Sequence, residues 1–258
     1  MANLEGKVAI ITGAGRGIGR TIAHYLAAQG MAVGINDVNP IAIQKVVDEL
    51  KSEGFRAIPL IANVSDEVQV GSIFDQVEVE LGPLWLLVNN AGIFNAAPTA
   101  KLTTNMWDTV FDVDAKGVFL CSQAAIRKMI PRKQGRIVNF SSIAGQIVRT
   151  EQIAYCAAKA AVIHFSRCLA VEMAPFGITV NCLCPGMTWT DMLSVSAKER
   201  SLDLDAMVEL IPAGHMAQEV DHANLVAFFA SEASNHITGQ VVTVDGGQSL
   251  YHPLQMKR

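Results

Sequence analysis

Lys7-Val8-Ala9-Ile10-Ile11-Thr12-Gly13-Ala14-Gly15-Arg16-Gly17-Ile18-Gly19 decides how this chain is read. The short apolar run reads as a buried strand, and the segment from Gly17 to Gln29 reads as a helix. Glycine at 13, 15, 17 and 19 allows tight turning and lets backbone N–H groups approach an anion with no Cβ in the way. The helix N-terminus adds the positive end of its dipole. A glycine-rich turn alone is an ordinary connection. After the first strand and before the first helix, it reads as a cradle for a dinucleotide pyrophosphate, held by Gly13, Gly15, Arg16, Gly17, Ile18 and Gly19.

The same alternation continues outward. Met31–Asn36, Arg56–Ile61, Leu84–Val88, Arg136–Phe140, Ile178–Leu183 and Gln240–Val244 read as further strands. Between them lie helical stretches at Ile41–Glu53, at Asp66 to about Leu81 with Ser65 as N-cap, and at Ala154–Met173. Continuous apolar strands separated by helices predict an α/β fold: a doubly wound parallel sheet with helices on both faces. No repeat, low-complexity tract or linker divides residues 1–258, so one domain is expected.

Composition narrows the partners. Half of the residues are hydrophobic, 17% are charged, and mean hydropathy is +0.29, which suits burial of some surface against a second copy. A net charge of −4 and a pI near 5.9 lack the basic footprint of a nucleic-acid binder. No stretch of about 18 apolar residues is present, and the N-terminus has no basic region of a signal peptide, so neither a membrane span nor export is expected. Five cysteines (121, 156, 168, 182 and 184) have neither disulfide-framework nor metal-ligand spacing. They point to a reducing, cytoplasmic compartment and to no metal.

Asp37 stands at the end of the second strand, 18 residues after Gly19. A carboxylate there accepts hydrogen bonds from both adenosine ribose hydroxyls and repels a 2′-phosphate. It also fits a turn in Asn36-Asp37-Val38-Asn39-Pro40. Arg16 is the contrary signal, able to pair with a 2′-phosphate, whereas Val38 adds no second cation. NAD(H) is expected over NADP(H).

The spacing TGxxxGxG from Thr12 to Gly19 resembles the short-chain dehydrogenase/reductase family, whose other markers follow in order. Asn89-Asn90-Ala91-Gly92 comes after the fourth strand, Ser142 lies 13 residues before Tyr155, and Lys159 is four residues after Tyr155. Pro185-Gly186 and Val244-Asp245-Gly246-Gly247 complete the set, and the resemblance runs from about Gly6 to Gln248. It implies a Rossmann-like fold of about seven strands, and an alcohol dehydrogenase or carbonyl reductase acting on a small alcohol or ketone. It also implies a homotetramer, joined through helices near Met106–Met129 and Ala154–Met173.

Tyr155 and Lys159 fall one helical turn apart, on one face. A free tyrosine, with a pKa near ~10, is a poor base at neutral pH, and a neighbouring ammonium favours its phenolate. Tyr155 is therefore the expected general acid/base and Lys159 its electrostatic partner. By resemblance Lys159 also holds the nicotinamide ribose. Either Ser141 or Ser142 could orient a substrate oxygen; the family spacing selects Ser142. A nucleophile role is not expected.

The resemblance assigns the adenine to Asn63 and Val64, with the Asn63 side-chain carbonyl accepting from the amino group. It assigns further cofactor contacts to Asn90, Ala91, Gly92, Pro185, Gly186, backbone at Thr188 and the Thr190 hydroxyl. The family carries asparagine, anchoring a relay water, where Asp114 stands here. Asp114 shares an apolar helical stripe with Val110, Gly117, Val118 and Cys121, which turns it inward as a relay member. Residues 190–215 resemble a substrate lid, with Trp189, Met192, Met207 and His215 as wall candidates. Two alternatives remain: an NADPH-dependent 3-oxoacyl-type reductase, and a nucleotide-binding scaffold without catalysis.

Overall fold

The computed structural model of the chain describes residues 4–190, 193, 197 and 203–250. In the first strand, β1 (Val8–Ile11), every residue is buried, because its two faces meet two different cores. Val8 and Ile10 pack into one core, Ala9 and Ile11 into the other. This two-sided burial is why the strands read as unbroken apolar runs.

The remaining strands are β2 (Ala32–Asp37), β3 (Ala57–Ile61), β4 (Leu84–Asn89), β5 (Gly135–Phe140), β6 (Ile178–Pro185) and β7 (Val241–Val244). All pairings are parallel in one seven-stranded sheet ordered β3-β2-β1-β4-β5-β6-β7. The order reverses between β1 and β4, and the crevice at that switch point is where such sheets take ligands. Helices α1 (Gly17–Ala28) and α2 (Pro40–Ser52) supply one core. Helices α3 (Glu67–Glu80), α5 (Gly117–Met129) and α6 (Ile153–Met173) supply the other.

Three local expectations change. The N-cap of α3 is Asp66, not Ser65: its carboxylate accepts from the N–H groups of Val68 and Gln69, whereas the Ser65 hydroxyl donates to Asn63. Strand β2 runs one residue further than expected and includes Asp37. The helix after Asn-Asn-Ala-Gly is broken: α4 (Thr104–Phe111) passes through a wide π turn at Asp112–Lys116 before α5 begins. Such turns concentrate at functional sites.

Two further helices, α7 (Leu204–Glu209) and α8 (Glu219–Ala230), follow β6, and α8 packs on α1. Among the described residues one helical stretch, Ile153–Phe176, has the length and composition to cross a membrane, with a mean hydropathy of 1.2. It packs on β6 and carries Tyr155 and Lys159. The expected lid overlaps residues 191–192, 194–196 and 198–202, which lie outside the described set.

Candidate active site

The glycine-rich loop is clasped to the end of β4. The Thr12 hydroxyl accepts from the N–H groups of Asn90 and Ala91, both at 3.0 Å, and the Asn90 amide donates to the carbonyls of Thr12 and Gly13. Gly13 has φ +62°, and a Cβ there would come 2.7 Å from the Ala91 Cα, so only glycine permits this approach. The Asn90 side-chain amide thus braces the loop. Arg16, the N-cap of α1, makes no side-chain cap, and the first turn holds no acid. The first N–H groups of α1 are left for an anion.

Asp37 is held at the carboxyl end of β2. Its Oδ2 accepts from the Gly15 N–H at 3.2 Å, and its Oδ1 accepts from the N–H groups of Val38 and Asn39. A carboxylate offers about four acceptor positions. Three are therefore used, and Oδ2 keeps an open position for a ribose hydroxyl. Asn63 differs from expectation: its carbonyl oxygen accepts from both the N–H and the hydroxyl of Ser65. This Asx turn uses the oxygen assigned to the adenine amino group.

At the other end, the two serines after β5 separate by role. The buried Ser141 hydroxyl donates to the Lys159 carbonyl at 2.7 Å, tying β5 to α6. The Ser142 oxygen accepts from the Ala144 N–H at 3.1 Å, and its hydroxyl is within hydrogen-bond reach of the Tyr155 oxygen. Tyr155 stands on α6 with its ring edge-on to Phe94, centroids 5.4 Å apart. The Lys159 Nζ is 5.6 Å from the Tyr155 ring centre and donates to the Phe140 carbonyl at 3.2 Å.

Asp114 sits in the π turn, fully buried, as its apolar stripe requires. Its Oδ2 lies 3.0 Å from Lys159 Nζ, and its Oδ1 accepts from the Ile93 N–H at 2.8 Å. Gly92 covers the pair, its missing Cβ falling 3.2 Å from both charged atoms. Burial pushes the Tyr155 hydroxyl above the ordinary tyrosine value; Lys159 opposes that shift and Asp114 reinforces it, while Ser142 helps to lower it. Burial would by itself lower the Lys159 ammonium, but Asp114 and then Tyr155 outweigh it and hold the ammonium above the usual lysine range. The lysine is a fixed cation.

One cavity of about 720 Å³ joins the two ends. Of the candidate residues, all line it except Gly15 and Gly19, which pack within the loop, and Asp114, which lies behind Lys159. Asn90, Thr190 and the Pro185-Gly186 turn are on its wall. A larger open hollow along α2, about 880 Å³, touches Gln44, Asp48 and Ile61 and none of these residues. Of the lid candidates Met207 lines the cavity, Trp189 is exposed, and His215 turns its Nδ1 to the Met216 carbonyl. Met192 lies outside the described residues.

Sequence reasoning missed Phe94, Arg149 and Gln152, which line the same cavity as Tyr155. It also missed His222 on α8. The His222 Nε2 is 2.8 Å from the Thr188 hydroxyl, which is itself 3.1 Å from the Gly186 carbonyl, so the histidine braces the turn after β6. Burial lowers its pKa to about 4, and it stays neutral.

A seven-stranded parallel sheet, an open α1 N-terminus and a Ser-Tyr-Lys constellation on one cavity define a dinucleotide-binding oxidoreductase. The chain belongs to the short chain dehydrogenase family, whose sequence model matches residues 7–201. It is 37% identical to the 2,3-dihydro-2,3-dihydroxybenzoate dehydrogenase of Bacillus subtilis (strain 168), covering 96% of this chain and 97% of that one. It is 39% identical to the 3-oxoacyl-[acyl-carrier-protein] reductase FabG of Staphylococcus aureus, covering 95% and 98%. Among solved structures, a gluconate 5-dehydrogenase from Burkholderia cenocepacia J2315 in complex with NADP and tartrate superposes with a TM-score of 0.91. The two are 33% identical, with coverage of 97% and 99%.

Proposed function

We propose that this protein is an NAD(H)-dependent oxidoreductase that interconverts a secondary alcohol, such as a polyol, sugar or other small hydroxy compound, and its ketone. The observation that carries this reading is the convergence of the Ser142 hydroxyl and the Tyr155 phenol on one cavity, above an ammonium that cannot leave. Bound NAD supplies the hydride acceptor. In the oxidative direction Tyr155 takes the substrate hydroxyl proton, and in the reductive direction it returns one. Lys159 favours the phenolate, and Ser142 donates to the substrate oxygen so that the proton travels along a set line.

Asp37 supports NAD(H), since its carboxylate stands where a 2′-phosphate would add like charge. Arg16 on the same wall, and the NADP in the Burkholderia structure, support the second reading, an NADPH-dependent reductase. The same proposal includes a cytoplasmic homotetramer. It is supported by the high mean hydropathy and by exposed Phe119 on α5 and Val171 on α6.

Titration with NADH and NADPH, read by nicotinamide fluorescence, tests the cofactor. NADH is expected to bind at least about 10-fold tighter, and Asp37→Ala to narrow that ratio. Tighter NADPH binding by the unaltered protein would reject the NAD assignment and promote Arg16.

A further inference from the structure

Charge on the cavity wall is unevenly placed. Among the described residues three cationic side chains line it: Arg16, Lys159 and Arg149. Arg16 belongs to the loop at the pyrophosphate end. Lys159 is matched by Asp114 at 3.0 Å, so its charge is balanced within the protein. Arg149 has no such partner among the described residues, and it belongs to the segment between Ser142 and Tyr155. Among the described residues its guanidinium has no hydrogen bond or ion pair, and the only carboxylate on the wall is Asp37, at the far adenosine end.

The segment between Ser142 and Tyr155 fixes where Arg149 stands. Gln146 anchors its near side, donating to Cys184 Sγ and accepting from the Thr243 hydroxyl. On its far side Glu151 adopts a left-handed backbone, φ +62°, and its carbonyl accepts from the Ala97 N–H at 2.8 Å. A non-glycine residue held in that region costs of order 1–3 kcal/mol and persists where surrounding structure requires it. The turn lets Gln152 follow directly as the N-cap of α6 with its amide making no cap bond, so Gln152 and Arg149 both face the cavity. The start of α6 has no side-chain cap and no acid in its first turn, which adds positive dipole. Apolar side chains among the described residues of the same cavity are Ile93, Phe94, Leu193 and Met207.

We infer that Arg149 is the receptor for a carboxylate on the substrate, with Gln152 beside it, so that the alcohols this protein oxidises are hydroxy acids and the ketones it reduces are oxo acids. This rests on the oxidoreductase reading above and narrows it. A planar guanidinium takes a carboxylate through two parallel N–H bonds. One such cation with a neutral amide matches a single negative charge better than a phosphate dianion. With the acid group fixed at Arg149, the carbinol hydroxyl is presented to Ser142 and Tyr155. The carbinol hydrogen leaves as hydride to NAD and the hydroxyl proton goes to Tyr155, while the carboxylate is unchanged.

The test compares hydroxy acids of three to six carbons with their primary amides and with hydroxyalkyl phosphate esters of similar length, using NAD and NADP, in the unaltered protein and in Arg149→Gln. Acids are expected to exceed their amides by at least about 10-fold in kcat/KM. Arg149→Gln should erase that advantage through KM, a loss of about 10- to 100-fold on acids and within about 2-fold on amides. NADH affinity should not change. Equal use of acids and amides, an equal loss on both, or a preference for phosphate esters overturns the inference and leaves the oxidoreductase reading intact.

If no alcohol of either kind reacts, the oxidoreductase reading fails first, and binding of sodium malonate to the NADH complex decides the subsite by itself. Malonate bound by the unaltered protein and about 10-fold weaker in Arg149→Gln supports the carboxylate receptor. No malonate binding overturns it. Arg149→Lys keeps the charge but not the fork, and is expected to restore part of the affinity.

Discussion

Asp114 is the charge that acts most strongly on Lys159 and it also acts on Tyr155. A lysine buried alone would shed its proton; beside a buried carboxylate it keeps it, and the pair is close to neutral from a distance. The cost falls on Tyr155, whose hydroxyl burial already pushes up and which Asp114 pushes further. Alcohol oxidation, which needs the phenolate, should therefore be favoured by alkaline pH. Asp114→Asn keeps the shape and removes the negative charge, so the acid limb of kcat/KM for oxidation should move to lower pH. A limb that stays in place, or moves up, would mean that Asp114 acts only as a support. The Ile93 N–H bond at 2.8 Å gives that support, and the asparagine carbonyl can retain it.

At the scale of elements, α8 reaches the site without touching its cavity. His222 is fully buried on α8, and its Nε2 meets the Thr188 hydroxyl just after β6. A histidine whose pKa falls from 6.5 to about 4 on folding stabilises the fold above pH 6.5, and that contribution is lost as the pH drops from 6.5 towards 4. Over that window the linkage is worth about 3 kcal/mol. His222→Gln can still bond Thr188 but takes no proton. Urea unfolding of the two proteins at pH 7 and at about pH 4.5 should show the unaltered chain losing more stability than the variant. Equal losses would place the acid sensitivity elsewhere.

Across the whole molecule, the parallel sheet holds two cores, each sealed by its own helices. Phe74 on α3 is 1% exposed in one core, and Phe229 on α8 is 2% exposed in the other. Phe74→Ala and Phe229→Ala should each cost about 3–5 kcal/mol in denaturant unfolding. One variant near zero would show that its face is not part of the cooperative core.

The sequence alone determined the order of strands and helices, because buried strands and amphipathic helices are written as local periodicities. It also determined the glycine-rich turn, the place of Asp37 and the shared face of Tyr155 and Lys159, since each depends on spacings within one element or between two neighbours. Other features required the tertiary structure. Ser141 and Ser142 are chemically alike until β5 meets α6 and one of them bonds Lys159. Asn63 and Asn90 each look free to meet a ligand until the fold shows that the Asn63 carbonyl oxygen is taken by Ser65 and the Asn90 amide by Thr12 and Gly13. Asp114 meets Lys159 across 45 residues of chain, and Thr188 meets His222 across 34. Local sequence carries no record of such distances; they exist only once the helices have packed on the sheet and excluded water from both partners.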